Sequence, residues 1–231
     1  MPNKQLVIAI DGPAASGKST TARIVAQRLG YTYIDTGAMY RAAALAVMRS
    51  GIDPCDVAAV ERLAAGLSIT LERLSDGSLK VLLDGEDVSR EIRTPEVTAL
   101  VSLVSSYPGV RVPIVAQQKR MGERGGVVLD GRDIGTVVFP DADVKVFMVA
   151  DIQARAVRRR EELQRMGAEI TVEGLASELA ERDRFDSTRE TSPLVRAEDA
   201  VEIDTSMLSI EQQVERVLLI AREKLDDYGN T

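Results

Sequence analysis

The sequence contains no histidine and no tryptophan, and it has a single cysteine, Cys55. Without histidine there can be no Ser-His-Asp triad, no imidazole base and no histidine-ligated metal. One cysteine excludes an internal disulfide and a zinc site built from cysteines. Any chemistry must therefore use carboxylates, lysine, arginine, hydroxyl groups, backbone amides or a hard cation.

Long apolar runs are lacking too. The run at residues 6–10 is too short for a signal peptide or a membrane span, and no other stretch approaches ~20 apolar residues. We therefore expect a cytoplasmic protein with no membrane partner. Basic residues are not in excess either, with 29 Lys+Arg against 36 Asp+Glu and a net charge of −7. This balance argues against a general nucleic-acid-binding surface, which must be basic.

Short apolar runs alternate with helical patterns along the 231 residues. Strands are predicted over residues 5–11, 31–35, 126–130, 143–150 and 200–204. Helices are predicted over residues 19–29, 37–49, 56–65, 151–166, 171–186 and 209–227, with two more that begin at 94 and 108. This alternation predicts an α/β fold with a parallel sheet and helices on both faces. A hairpin pattern over 67–83, with its turn at 75–78, predicts a small antiparallel sheet in an inserted subdomain.

Residues 12–19 match the pattern G-x-x-x-x-G-K-[ST] and lie between a predicted strand and a predicted helix. The glycines allow the backbone to turn tightly and to point amides at phosphate oxygens, and the helix N-terminus adds partial positive charge. Lys18 is suited to contact the β and γ phosphates, and the Ser19 hydroxyl is suited to ligate Mg²⁺. The candidate residues for the ATP phosphates are Gly12, Pro13, Ala14, Ala15, Ser16, Gly17, Lys18, Ser19 and Thr20.

Residues 12–19 are called the phosphate loop below. The kind of phosphate-loop protein is indicated by the residues around Asp130, at the end of a predicted strand. The chain has no Asn-Lys-x-Asp element of the kind that a GTPase uses to bind guanine. Residues 127–130 are a weak version of the apolar run and aspartate found in ATPases. Arg132 and Asp133 come directly afterwards, at the carboxyl edge of the sheet, where ligands bind in open α/β folds. The alternative is a surface turn with an Arg-Asp pair.

Two clusters of arginine fit a site for two phosphorylated substrates. One lies in and just after the predicted helix at 151–166 and consists of Arg155, Arg158, Arg159, Arg160 and Arg165. It is interpreted as a lid that closes over a polyphosphate, or as a solvated helix face. The other has the i, i+4, i+7 spacing of one helix face and consists of Arg182, Asp186 and Arg189. This cluster is interpreted as a binding site for a sugar or phosphate group. The alternative is a series of ion pairs on the protein surface.

Several segments together resemble the bacterial cytidylate kinases, and the resemblance runs from about residue 6 to 226. The most specific is Asp-Gly-Arg-Asp followed by Gly-Thr-Val-Val-Phe-Pro, at residues 130–133 and 135–140. The others are residues 11–13, the phosphate loop, 35–41, 84–88 with 92–94, and 208–212. Thr36 stands where serine is common in the family, and Ser19 stands where some members have glycine.

The resemblance implies the reaction ATP + (d)CMP → ADP + (d)CDP, with Mg²⁺ as cofactor and with ATP, CMP and dCMP as partners of a monomeric enzyme. It implies a core of about residues 1–36, 108–150 and 190–231, a nucleoside-monophosphate-binding subdomain of about 37–107, and a lid of about 151–170. Transfer would depend on alignment and charge neutralisation by Lys18, Arg132 and Arg159.

The resemblance also implies the binding residues. The acceptor phosphate would contact Thr36, Tyr40, Arg41 and Arg132. The cytosine ring would contact Ser102, Arg111 and Asp133. The sugar and nearby groups would contact Arg182, Asp186 and Arg189, while Arg158 would join the ATP phosphates and Asp130 would hold Mg²⁺ beside Ser19. Two alternatives stay open on the sequence: a related kinase of UMP, dTMP or shikimate, and a nucleotide-binding regulator without transferase activity.

Overall fold

The computed structural model of the chain describes residues 5–74, 79–165 and 170–229. The predicted turn at 75–78 and residues 166–169 of the predicted lid lie outside the described residues. The chain forms two compact units: Met1–Tyr33 together with Gly125–Thr231, and Ile34–Arg124.

The elements of the described residues closely follow the predicted ones. The strands are β1 (Val7–Asp11), β2 (Thr32–Asp35), β3 (Ile69–Arg73), β4 (Leu79–Leu83), β5 (Glu86–Asp87), β6 (Val127–Gly131), β7 (Val144–Val149) and β8 (Val201–Asp204). The helices are α1 (Lys18–Leu29), α2 (Thr36–Ser50), α3 (Val57–Ala65), α4 (Pro95–Val104), α5 (Pro108–Gly122), α6 (Ile152–Arg165), α7 (Val172–Thr188) and α8 (Ile210–Gly229).

The main sheet confirms the predicted α/β class. Its strand order is β2-β6-β1-β7-β8, and β1 pairs in parallel with both β6 and β7, as β7 does with β8. The apolar side chains of β1, β6 and β7 pack with one face each of α1 and α8. The register places Asp11, the last residue of β1, opposite Gly131 of β6. The carboxyl ends of these central strands therefore form one edge, from which the phosphate loop and residues 130–135 emerge.

The second unit is built around the alanine-rich helix α2. Its small side chains, including Ala42 and Ala43, are buried in a core that also contains Val97 and Val101 of α4. The antiparallel sheet β3-β4-β5 adds Ile69 and other apolar residues to this core. The predicted small antiparallel sheet is thus confirmed, and β5 extends it by a strand that the sequence pattern did not predict.

Helix α5 lies in the second unit, whereas the sequence-based division placed residues from 108 onward with the nucleotide-binding core. The reason is packing, because Val110 and Ile114 of α5 are buried in the same cluster as α2 and α4. Within the described parts of the chain, no single helix has the length and apolar character to cross a membrane. The pair α4 and α5, bent by 100°, meets those two criteria when taken together.

Candidate active site

The phosphate loop follows β1 and requires glycine at both of its fixed glycine positions. Gly12 has φ +151°, and a Cβ at this position would lie 2.2 Å from the carbonyl oxygen of Met148. Gly17 has φ +94°, and a Cβ there would lie 2.6 Å from Oε1 of Gln213. Both backbone conformations are ones that L side chains rarely adopt. The two fixed glycines of the pattern at residues 12–19 are therefore required by the backbone conformation and the close contacts of this loop.

The loop leads into the N-terminus of α1, which is suited to bind an anion. Gly17 occupies the N-cap position without a capping side chain, and the first turn contains no acidic residue. The first amides of a helix have no partner within the helix, and the helix dipole makes this end partially positive. The Ser16 hydroxyl is also fully buried, with no hydrogen-bond partner in the described part of the chain. These features favour the binding of an anion, and the assignment of that anion to the ATP phosphates stays a prediction.

Three side chains of the first unit converge on Asp130 at the end of β6. The Ser19 hydroxyl donates to Oδ2 of Asp130 at 2.6 Å, and Lys18 Nζ lies 3.9 Å from the same oxygen. The Tyr33 hydroxyl donates to Oδ1 at 2.7 Å. Tyr33 was not predicted, because it lies on β2, far from Asp130 in sequence. Its hydrogen bond fixes the carboxylate so that Oδ2 faces Ser19.

The Ser19–Asp130 pair fits a Mg²⁺ ion by its chemistry. Mg²⁺ prefers hard oxygen ligands, is commonly held by only one or two protein groups, and takes its remaining ligands from phosphate and water. One hydroxyl and one carboxylate side by side at the phosphate loop provide that donor set. In the described residues, no group of three or more cysteine, aspartate or glutamate side chains is arranged to hold a metal.

Arg132 and Asp186, both predicted as site residues, are in direct contact in the first unit. Arg132 Nε donates to Oδ2 of Asp186 at 2.9 Å, and NH1 of Arg189 lies 3.9 Å from Oδ1 of the same carboxylate. Asp186 is buried near the end of α7, and Arg189 follows just after the helix rather than within it. Two residues of the predicted helix face, Asp186 and Arg189, thus form a cluster with Arg132 just after β6. The third, Arg182, is partly buried on α7.

A buried carboxylate that the sequence analysis did not single out joins the phosphate loop to residues 134 and 135. Asp11 accepts hydrogen bonds from the amides of Ile134 at 2.9 Å and Gly135 at 2.8 Å. Burial raises the pKa of Asp11 to about 7, although these two amides lower it, and the nearby charge of Asp133 adds to the rise. Asp11 ends an apolar strand directly before the loop and belongs to the segment 11–13 that resembles the cytidylate kinases, but neither signal gave it a role.

The raised pKa of Asp11 predicts a pH dependence of stability. A carboxyl group whose pKa is higher in the folded state stabilises the fold below its unfolded pKa and loses that contribution as the pH rises through the folded pKa. The free energy of unfolding should therefore fall between about pH 4 and pH 7. The shift from 3.8 to about 7 corresponds to a change on the order of 4 kcal/mol.

Urea denaturation of wild type and Asp11→Asn across this range checks the prediction. In Asp11→Asn, the fall of the unfolding free energy between about pH 4 and pH 7 should be smaller by the contribution of Asp11, whatever the absolute stability of the variant. Parallel curves of unfolding free energy against pH for the two proteins would contradict it.

The arginines of α6 contact the phosphate loop and its neighbours in the first unit. The buried Arg155 pairs with Asp183 of α7 at 2.6 Å and donates to the carbonyl oxygen of Ala14 at 3.2 Å. Arg158 donates to the carbonyl oxygens of Ser16 and Thr205. Two of the clustered arginines thus hold loop carbonyls in this structure. Arg159 pairs with Glu162 on the outer part of α6, at 2.7 Å, so Arg155 and Arg159 both have carboxylate partners.

The loop is also supported from the last part of the chain. The Thr205 hydroxyl, fully buried just after β8, donates to the carbonyl oxygen of Ser16 at 2.8 Å. Gln213 of α8 accepts from the Thr21 hydroxyl at 2.9 Å through the same Oε1 atom that lies against Gly17. The sequence pattern could not reveal these supports, because they are about 190 residues away from the loop.

In the second unit, two residues predicted to bind the acceptor are stacked on each other. The Arg111 guanidinium lies over the ring of Tyr40, 4.9 Å from its centroid, and both side chains are buried. Arg41 donates to the Thr98 hydroxyl at 2.7 Å. Thr36 is the buried first residue of α2, and the partly buried Ser102 lies on α4. The structure thus brings Tyr40 and Arg111 together within this unit.

The fold and the loop define a class. A parallel sheet, a phosphate loop that follows its central strand, and a Lys-Ser pair set against a strand-end aspartate are the parts of a P-loop nucleotide-binding protein. A solved gluconokinase from Sinorhizobium meliloti 1021 shares this fold, with a TM-score of 0.50 and 16% identity over 99% of both chains.

The sequence comparisons identify the family. The family model described as cytidylate kinase matches residues 8–223. The cytidylate kinase of Bacillus velezensis is 49% identical over 222 residues, 96% of this chain and 99% of that protein. The cytidylate kinase of Pelotomaculum thermopropionicum is 51% identical over 211 residues, 91% of this chain and 93% of that one. The chain belongs to the cytidylate kinase family and is a nucleotide-binding kinase, as its sequence motifs indicated.

Proposed function

We propose that this protein transfers the γ-phosphoryl group of ATP to CMP and dCMP, giving ADP with CDP or dCDP. The observation that carries the proposal is the phosphate loop with Lys18 and Ser19 set against Asp130, in a chain that matches the family model over residues 8–223. The acceptor is a phosphate oxygen that is already anionic at pH 7, so the reaction needs no general base. A reaction that needs no general base is compatible with a chain that has no histidine.

The donor side of the reaction follows from the first unit. The loop amides and the N-terminus of α1 bind the ATP phosphates, and Lys18 neutralises charge that develops during transfer. Ser19 and Asp130 hold Mg²⁺, which supplies further charge neutralisation when it is bound with ATP. Arg158 and Arg159 are proposed to contact the transferred phosphates. The guanidinium of Arg158 donates to the carbonyl oxygens of Ser16 and Thr205 in this structure, so it must leave these partners to bind ATP.

The acceptor residues are proposed for each unit separately. In the second unit, Thr36, Tyr40 and Arg41 bind the CMP phosphate, and Ser102 and Arg111 bind the base. In the first unit, Arg132 binds the phosphate, Asp133 binds the base, and Arg182, Asp186 and Arg189 bind the sugar and nearby groups. We further propose that residues 37–107 act as the monophosphate-binding subdomain, and that residues 151–170 act as a lid on a monomeric, cytoplasmic enzyme.

A coupled assay of ADP release tests the function. CMP, dCMP, UMP, dTMP and shikimate are compared as acceptors, with Mg²⁺ and with EDTA, and each reaction has a control without acceptor. ADP release that requires Mg²⁺ and is fastest with CMP or dCMP supports the proposal. Preference for dTMP or shikimate would replace it with another kinase of this fold. ATP binding without ADP release on any acceptor would indicate a nucleotide-binding regulator.

The proposed lid should respond to ATP. Residues 152–165 carry Arg155, which is held by Asp183 and the Ala14 carbonyl, and Arg158, which is held by the Ser16 and Thr205 carbonyls. Phosphate is a stronger partner for arginine than a backbone carbonyl, so we expect closure over ATP with increased protection of these amides. Hydrogen exchange with and without a non-hydrolysable ATP analogue checks this. If protection of α6 is the same at saturation as in the free protein, the lid assignment is wrong.

A further inference from the structure

The first turn of α5, in the second unit, has no cap of its own although it carries Arg111. The helix follows Tyr107, whose side chain makes no capping bond, and its first turn contains no acidic residue. The N-terminal amides of a helix need acceptors from outside the helix, and this end is partially positive. A cation such as Arg111 is disfavoured at such an end. A negatively charged acceptor from another element therefore stabilises this turn in two ways.

Glu61 of α3 is that acceptor. Its Oε1 accepts a hydrogen bond from the amide of Gly109 at 2.6 Å. Pro108 has no amide hydrogen, and the amides of residues 110–111 both donate to the carbonyl oxygen of Tyr107 at 3.1 Å. Gly109 therefore has the one amide of this turn that requires an acceptor from another element, and Glu61 provides it.

The contact between Glu61 and Gly109 is close, and a second bond lies beside it. A Cβ on Gly109 would lie 2.5 Å from Cδ of Glu61 and 2.8 Å from its Cβ, so only glycine fits without a shift of the turn. The Tyr107 hydroxyl donates to the carbonyl oxygen of Pro54 at 3.0 Å, shortly before α3 begins. The start of α5 is therefore held at two points by α3 and the residues that precede it.

The orientation of the Arg111 side chain depends on where this turn lies. Its NH1 donates to the carbonyl oxygen of Ser105 at 3.0 Å, and its guanidinium lies over the ring of Tyr40. Ser105 directly follows α4, and Tyr40 lies on α2. Both partners thus belong to elements other than α5, and a shift of its first turn moves the guanidinium relative to each of them.

We infer that Glu61 is a positioning residue for the acceptor base: by accepting from the Gly109 amide, it fixes the first turn of α5 and with it the guanidinium of Arg111. This inference rests on the proposed function, in which Arg111 binds the ring carbonyl that cytosine and uracil share. Without an acceptor on residue 61, the turn frays and Arg111 loses the orientation that the base requires. Affinity then falls equally for CMP and UMP, whereas ATP, which is bound by the first unit, is unaffected.

Glu61→Ala and Glu61→Gln test the inference as a pair, because alanine removes the acceptor whereas glutamine keeps an oxygen at the same reach. In Glu61→Ala, we expect KM for CMP and KM for UMP to rise by the same factor, about 3- to 10-fold, the usual cost of a lost helix cap. KM for ATP and kcat should change by less than about twofold, since lost binding of one substrate appears in the KM of that substrate. Glu61→Gln should recover most of the wild-type affinity.

Three further variants separate this role from a general loss of stability. Asp56→Ala is the matched control: Asp56 caps α3 itself through the amide of Ala59 at 3.0 Å, and its loss should lower the unfolding temperature without changing either KM. In the Arg111→Met background, Glu61→Ala should add little to KM for CMP, because both changes remove the same contact. Gly109→Ala suits a helix better by propensity, but its Cβ displaces the turn from Glu61, so KM should rise for both pyrimidines.

An unchanged KM for CMP in folded Glu61→Ala, an equal loss in Glu61→Gln, an equal rise in Asp56→Ala, or additive effects of Glu61→Ala and Arg111→Met would overturn the inference. If Glu61→Ala does not fold, an unchanged KM in folded Gly109→Ala overturns it instead. If wild type does not phosphorylate CMP at all, the proposed function fails together with the inference. If wild type is active and Arg111→Met raises KM for CMP but Glu61→Ala does not, the role of Glu61 alone is wrong.

Discussion

Replacement of Lys18 by alanine should lower kcat by about 10²- to 10³-fold, the usual cost of losing one contact to charge that develops in the transition state. Lys18 is buried at the start of α1, with Nζ 3.9 Å from the carboxylate of Asp130. Lys18 is the lysine of the motif at residues 12–19, and the chain has no histidine that could neutralise the developing charge in its place. Steady-state ADP release with saturating ATP and CMP gives the measurement.

Two further variants separate chemistry from folding. Lys119→Ala removes an exposed lysine from α5 and should leave kcat unchanged. Lys18→Arg keeps the positive charge but not the shape of the ammonium group, so it should recover only part of the rate. Thermal unfolding confirms that Lys18→Ala is folded. A folded Lys18→Ala enzyme with more than about a tenth of wild-type kcat would exclude the proposed role.

Asp133→Asn should narrow the preference for CMP over UMP by roughly 10- to 100-fold. Cytosine presents a 4-amino donor where uracil presents a 4-oxo acceptor, and a carboxylate can only accept. Asparagine keeps the size of the side chain, but its amide can turn to offer a donor to uracil. We therefore expect kcat/KM to fall for CMP and to fall less, or to rise, for UMP. Parallel assays with both substrates give the ratio.

The competing explanation is that Asp133 only braces Arg132. Arg132 also donates to Asp186 at 2.9 Å, so Asp186 holds this side chain in either case and the two explanations are separated by kinetics. Under bracing alone, Asp133→Asn would slow both pyrimidines equally, and an unchanged ratio in a folded variant would defeat the proposed recognition. Arg111→Met is a useful contrast, since Arg111 is proposed to donate to the ring carbonyl that both bases share. It should weaken both substrates with little change in their ratio. Asp141→Asn changes an exposed aspartate and should alter neither kcat/KM for the two pyrimidines nor the ratio between them.

Local sequence patterns predicted most of the fold because their causes are local. Apolar runs predict the central strands. Gly30 and Gly51 directly follow α1 and α2, a place where glycine commonly ends a helix, and Ser209 with Gln212 has the spacing of a capping box at the start of α8. That box is present: the Gln212 amide donates to Ser209 Oγ at 3.3 Å, and the Ser209 amide donates to Gln212 Oε1 at 2.9 Å. The two-residue strand β5 and the turn at 134–138 were not predicted, because each is too short to show a period.

The site was predicted less completely, because its supports come from distant parts of the chain. The motif located Lys18 and Ser19, and the resemblance located the candidate acceptor residues. No spacing rule pairs Asp11 with the amides of Ile134 and Gly135, more than 120 residues later. The arginines of α6 were interpreted as a lid or as a solvated helix face, but Arg155 is buried and has an acidic partner on α7, which only the packing of the two helices reveals.

The supports of the phosphate loop have a consequence for the order in which the protein is made. Thr205, which holds the carbonyl of Ser16, and Gln213, which lies against Gly17, are synthesised about 190 residues after the loop. A growing chain therefore carries the complete ATP-binding motif long before it can hold that motif in shape. ATP stabilises only molecules that can bind it, so it cannot assist folding until the chain has been made as far as Thr205 and Gln213. Truncated products that end before Thr205 should accordingly gain no protection from ATP against proteolysis.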